Sequence, residues 1–136
     1  MAEKKCVMIS STARDLPDHR KEVMDACLRQ NMFPMMMEHL PASDDEAISA
    51  SLKMVDEADI YVGIFAHRYG YVPKGHPISV TEMEYNRAVE RKIPRCIFVM
   101  DKDHPLKIED VEIENAAKLK AFKDRVATEN IVFDQK

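Results

Sequence analysis

Two carboxylates, Glu82 and Glu84, stand near the start of a predicted helix in the run Ser79-Val80-Thr81-Glu82-Met83-Glu84-Tyr85-Asn86-Arg87-Ala88. Upstream, the apolar run Ile60 to Phe65 reads as a buried strand and leads into the loop Ala66-His67-Arg68-Tyr69-Gly70. In an open α/β sheet the loops leaving the carboxyl ends of strands form the ligand crevice. A carboxylate on the first turns of a helix opening there can stabilise or attack a developing positive charge. Glu82 also has a structural explanation, because with Ser79 three residues earlier it completes a capping box. Glu84 has no such explanation. It stands four residues before Ala88, at the flank of the stripe Tyr85, Ala88 and Val89, and a small residue behind it leaves the acid facing the crevice. The plainer alternative is an exposed acid favoured by the helix dipole.

The elements that must position these groups alternate from end to end. Cys6-Val7-Met8-Ile9 is a short continuous apolar run, as expected of a strand covered on both faces. Leu16 to Gln30 carries Val23, Met24, Cys27 and Leu28 on one helical stripe, with Pro17 acceptable in the first turn. Met32 to Met37 is a second apolar run. Ser43 and Glu46 form a capping box that opens a helix with Ile48, Leu52, Val55 and Ala58 turned toward a core. After the strand Ile60 to Phe65 and the helix begun by Ser79, Pro94 ends that helix and Cys96 to Met100 is a fourth strand. Ile113 to Asn130 is helical, with Ala116, Leu119, Phe122 and Val126 spaced for packing, and Ile131-Val132-Phe133 is a fifth strand.

This alternation predicts an α/β fold: a flavodoxin-like three-layer sandwich around a five-stranded parallel sheet of order 2-1-3-4-5. Residues 1–136 form a single domain. The chain stops just after the fifth strand, with no room for the helix that usually covers it, as expected of a domain excised from a longer parent. In this order the switch point lies between strands one and three, so Ser10 to Asp15 and Ala66 to Gly70 face each other across it. The hydroxyls of Ser10, Ser11 and Thr12 are placed to bind ribose or phosphate with the helix N-terminal amides. Arg14 and Arg68 can add charge-assisted contacts. The alternative is that these are solvated loop residues and backbone caps. Tyr69-Gly70-Tyr71 is a turn or a stacking platform, and Asp59, at the far end of the third strand, is structural.

Several chemistries are excluded. With three glycines in the chain, Gly63, Gly70 and Gly75, neither a G-x-G-x-x-G turn nor a Walker A loop is possible. Strands one and three end in Ser10-Ser11-Thr12 and Phe65-Ala66, without the aspartates of a phosphate-acceptor receiver. The five histidines have no ligand spacing, so no metal is expected; His67, beside Arg68, is the one in the crevice. Cys6 and Cys96 sit in apolar strand-like runs and Cys27 on a helix's apolar stripe, so all three read as small buried hydrophobes, and the ten methionines as core filler. A formal charge of −4 offers no basic footprint for nucleic acid. No apolar run is long enough to span a bilayer, and the N-terminus has no signal-peptide core, so a cytoplasmic location is expected.

Val7-Met8-Ile9-Ser10-Ser11-Thr12 with Asp15-Leu16 resembles the opening of the domain of unknown function 4062 family. So do Ala58-Asp59-Ile60-Tyr61-Val62-Gly63-Ile64, Arg68-Tyr69-Gly70, and Ser79-Val80-Thr81-Glu82-Met83-Glu84-Tyr85 with Ala88. The resemblance spans roughly residues 4 to 100. It implies an N-terminal module followed by a NACHT or related STAND-type NTPase and repeats. More distantly the chain is similar to Toll/interleukin-1 receptor (TIR) domains and to nucleoside 2-deoxyribosyltransferases, which act at N-glycosidic bonds with a glutamate on the helix after strand three. That similarity implies Glu84 as the catalytic acid, with Glu82 second, and a serine upstream, here Ser79. It implies NAD or a related nucleoside as substrate rather than a resident cofactor, with Ser10, Ser11 and Arg14 on ribose and phosphates and Tyr69 stacking on a base. It also implies self-assembly into a homo-oligomer. The transferases' Asp-x-Gly-Thr loop has no counterpart here. The rival expectation is therefore a non-catalytic TIR-like module for interaction, nucleotide sensing and signalling.

Overall fold

A computed structural model describes residues 5–11, 17–36, 43–66, 68–100, 116–129 and 132–135. Among these described residues nine elements follow in strict alternation: β1 (Cys6–Ser11), α1 (Pro17–Arg29), β2 (Phe33–Met35), α2 (Asp44–Glu57), β3 (Ile60–Phe65), α3 (Val80–Arg91), β4 (Arg95–Met100), α4 (Ala116–Glu129) and β5 (Val132–Gln135). The strands form one sheet of order β2-β1-β3-β4-β5, with every neighbouring pair parallel. This is the flavodoxin-like order that the alternation predicts.

Because successive strand residues point to opposite faces, the two sides of the sheet have separate cores. On one side Met8, Tyr61, Phe65 and Ile97 pack with Val55 and Ala58 of α2, Tyr85 and Ala88 of α3, and Phe122 and Val126 of α4. On the other, Val7, Ile9, Val62 and Ile64 pack with Cys27 of α1, flanked by Val23 and Met24. All three cysteines are free, and burial raises the thiols of Cys27 and Cys96, as suits inert core residues.

Register sets the floor of the crevice. Ser10 pairs with Gly63, which pairs with Ile97, in a row across β1, β3 and β4 on the α2–α3–α4 side. At the opposite end Asp59 is structural, as expected. Its Oδ2 accepts from the Cys6 amide at 2.8 Å, and its own amide donates to the Cys6 carbonyl at 2.8 Å.

One helix departs from expectation in its rotation. The buried face of α2 runs through Ala47, Ser51, Val55 and Ala58, whereas Ile48 and Leu52 are half-buried. Small residues on that face let α2 lie close to the sheet and to α3, and this brings Ser51 into the interior. The ends of the two helices are tied as well. Arg91 donates to the Val55 carbonyl at 2.9 Å and to that of Asp56, where the α2 dipole favours a cation, and Arg87 pairs with Asp56 at 3.0 Å.

Candidate functional site

Helix α3 begins where the loop after β3 returns to the sheet. Ser79 is its N-cap, accepting from the Glu82 amide at 3.1 Å. The second half of the expected box is different. The Ser79 amide donates to the Tyr69 hydroxyl at 3.2 Å, and that hydroxyl donates to Glu82 Oε1 at 2.5 Å. Tyr69 is thus inserted between the two members of a capping box and relays the reciprocal bond. Burial, then the bond to Glu82, pushes its hydroxyl up to about 12, so it remains a donor. Gly70, at φ 98°, allows the chain to turn immediately after it. The Val80 amide then closes on the Tyr71 carbonyl at 2.9 Å.

Of the two readings of Tyr69-Gly70-Tyr71, the geometry at Tyr69 and Gly70 is that of a turn. Tyr69 is 1% exposed, with its ring edge-on to Phe122, so it holds the start of α3 in place. Its exposed neighbour is Tyr71. Removing the hydroxyl in Tyr69→Phe strands a buried amide and one side of a mostly buried carboxylate. The expected cost is about 1–3 kcal/mol in denaturant unfolding.

Glu82 and Glu84 do not form a pair. Two residues apart on a helix, they diverge by roughly 200° around its axis. Glu82 turns toward α4, where Arg125 lies 3.5 Å from Oε2. Arg125 also donates to Asn86, pairs with Glu129 at 3.3 Å and sits 5.2 Å over the Tyr85 ring. Tyr85 in turn packs edge-on to Tyr61, Phe65 and Phe122. The rotation of α3 is therefore locked on the Tyr85 side, and Glu84 is directed at the carboxyl end of β1.

There Ser10 donates to Glu84 Oε1 at 2.8 Å, and both residues are buried, at 1% and 5% exposure. Burial raises the Glu84 carboxyl from 4.5 to about 7, opposed by the neighbouring hydroxyls of Ser10 and Ser51 and by the positive charge of Arg20. The acid is therefore poised between its two protonation states near neutrality. The Ser51 and Tyr61 hydroxyls, buried in the same region, make no hydrogen bond of good geometry among the described residues.

Ser10, expected to hold a ligand, thus spends its donor on Glu84. Ser79, likewise expected at the ligand, is fully buried as the cap. Ser11 is half-buried, with an enclosed hydroxyl that makes no hydrogen bond among the described residues, and Arg68 is half-buried in the loop after β3. Thr12, Arg14 and His67 lie outside the described residues. Arg20 and Ser51 were not anticipated. Their signal was present as polar residues on apolar stripes, Arg20 in line with Val23, Met24 and Cys27, and Ser51 in line with Val55 and Ala58. Among the described residues no group of three His, Cys, Asp or Glu side chains is arranged to hold a metal ion. No helix among them is long and apolar enough to cross a membrane.

A parallel sheet of this order, with a buried acid at the carboxyl end of β1, defines an α/β domain of the flavodoxin-like class. The chain belongs to the family described as Domain of unknown function (DUF4062), whose model matches residues 6–135. No curated protein matches it in sequence. Among solved structures it is similar to a 2-deoxyribosyltransferase from Leishmania mexicana, with a TM-score of 0.54 and 14% identity over 71% of this chain. The match covers 65% of that protein's chain, and at this identity the likeness is one of fold.

Proposed function

We propose that this domain acts at the N-glycosidic bond of a nucleoside or nucleotide, NAD among them, with Glu84 as the catalytic carboxylate. The observation that carries this reading is the hydrogen-bonded, buried Glu84 at the sheet's carboxyl end, with its carboxyl at about 7. The likeness in fold to a 2-deoxyribosyltransferase lends support. In such a reaction the C1′–N bond breaks, and its electron pair leaves with the base. Positive charge builds on the sugar, and a carboxylate stabilises it until water or a second base adds at C1′. A carboxylate in a water-poor seat does this better than one in bulk water. Ser10 fixes the orientation of the carboxylate, and the Tyr69–Glu82 cap together with Tyr85 fixes the helix that carries it.

The protonated acid cannot stabilise a cation, so kcat/KM is expected to rise as pH increases through about 7. Chromatography of NAD, ribonucleosides and 2′-deoxyribonucleosides incubated with the protein from pH 5.5 to 8.5, with and without an acceptor base, tests this. Free or exchanged base with that pH profile supports the reading; no base from any substrate in the set rejects it. A second reading, the non-catalytic interaction module, draws on the same burial, because an acid 5% exposed also suits a purely structural role. It predicts self-association at rising concentration with no base released.

A further inference from the structure

Helix α3 leans on α4 through one stripe of side chains, Glu82, Tyr85 and Asn86, at helical spacings of three and four. Arg125 of α4 meets all three. Its Nη1 lies 3.5 Å from Glu82 Oε2, its Nη2 donates to Asn86 Oδ1 at 2.5 Å, and the guanidinium sits 5.2 Å over the Tyr85 ring. Glu129, one turn further along α4, pairs with Arg125 at 3.3 Å and accepts from the Tyr85 hydroxyl at 3.2 Å. Two turns before Arg125, Lys118 donates to the Pro77 carbonyl at 2.9 Å, in the loop that enters α3. The other oxygen of Glu82 holds the Tyr69 hydroxyl. A planar fork that meets a carboxylate, an amide and a ring together fixes the angle of a helix about its axis.

That angle brings Glu84 to Ser10. A side-chain tip stands about 5–6 Å from a helix axis, so a turn of roughly 20° carries it about 2 Å. Such a turn opens the 2.8 Å bond between Ser10 and Glu84. We propose that Arg125 and Glu82 are positioning residues for Glu84: their contact, with Asn86, sets the rotation of α3 at which the acid meets Ser10. Glu82 is then a fixing point of the helix and not a second reacting acid. The groups acting on the Glu84 carboxyl are the Ser10 hydroxyl of β1, the Ser51 hydroxyl of α2 and the Arg20 charge of α1. Burial keeps the Tyr61 hydroxyl of β3 protonated, and Arg95 of β4 acts on it. The Arg125 charge is engaged by Glu82 and Glu129, so its substitution reaches Glu84 through the helix. The role rests on Glu84 being the reacting carboxylate. Its test does not require turnover, so the two ideas fail separately.

Carbon-13 NMR of the glutamate carboxyls follows Glu84 across pH, its signal identified by its loss in Glu84→Gln. Arg125→Met frees the rotation of α3 while the packing around Tyr85 keeps the acid buried. The bond to Ser10 then weakens, and the Glu84 midpoint is expected to rise by about half a pH unit or more. Arg125→Lys keeps the charge but not the fork, and its midpoint is expected to rise with that of Arg125→Met. Glu82→Gln is expected to raise it too, although losing a negative charge would by field alone lower it. A merely structural contact would lower stability and leave all three midpoints in place. Where turnover is measurable, kcat falls with KM little changed. An unmoved midpoint in folded Arg125→Met, or a wild-type midpoint in Arg125→Lys, overturns the assignment. If neither Arg125 variant folds, Glu82→Gln and Asn86→Ala decide it: raised midpoints support the role, and unmoved or lowered ones overturn it.

Discussion

Glu84→Gln is expected to stabilise the folded domain above pH 7 while removing the proposed activity. Burial raises the Glu84 carboxyl from 4.5 to about 7, so between those values the folded chain holds a proton that the unfolded chain releases. The stability contributed by the protonated acid is fully present below about pH 4.5 and is lost as pH rises through about 7. Glutamine mimics the protonated acid at every pH and can still accept from Ser10. Each unit of pKa displacement corresponds to about 1.4 kcal/mol, so the variant gains up to about 3 kcal/mol at pH 8 and nothing below pH 4.5. Urea unfolding of both proteins at pH 4 and pH 8 measures this. Equal stabilities at the two pH values would mean that Glu84 is not titrating from a buried seat. Such a gain would set Glu84 apart from a structural acid, because a residue whose removal stabilises the fold is kept for something other than stability.

Gly63→Ala is expected to cost about 1–3 kcal/mol and to disturb the site from below. A Cβ at Gly63 would lie 2.6 Å from Cζ of Phe65 and 3.1 Å from Cδ1 of Ile97. The far end of an aromatic ring yields easily at a surface, but Phe65 is 3% exposed and its ring is packed on Phe122 at 4.8 Å and against Tyr85. Moving Phe65 moves Tyr85, the residue that fixes the rotation of α3 beside Glu84. Thermal unfolding is expected to show the lower stability. The Ser10–Glu84 bond is expected to weaken, read as an upward shift of the Glu84 midpoint. A fully stable alanine variant with an unchanged midpoint would show that the ring has room and that the glycine is incidental.

Much of the frame was legible from periodicity. Short apolar runs bounded by turn residues marked β1, β3 and β4 because strands covered on both faces have no polar side to show. Strict alternation with helices then fixed a parallel sheet and its order. Glu84 stood out in the sequence because a carboxylate on a helix flank with no capping partner calls for another explanation, and the structure gives it a buried bond to Ser10. What periodicity missed were the contacts between layers. The stripe expected on α2 runs through Ile48 and Leu52 and omits Ala47 and Ser51, since hydropathy favours the larger side chains, whereas close helix approach favours the smaller ones. Tyr69 looked available to a ligand because nothing in a loop sequence signals that a hydroxyl will enter the capping box of the next helix. The bond from Ser10 to Glu84 has no local signal either, because its partner is 74 residues away in sequence.

The decisive comparison is base release by concentrated wild-type protein and by Glu84→Gln, from NAD and from the nucleosides, followed by liquid chromatography at pH 8. Glutamine is expected to lower the rate by about 10²–10³-fold, while unfolding shows the variant to be as stable as the wild type or more so. Release that continues undiminished in a folded Glu84→Gln would contradict the assignment of this carboxylate to the chemistry.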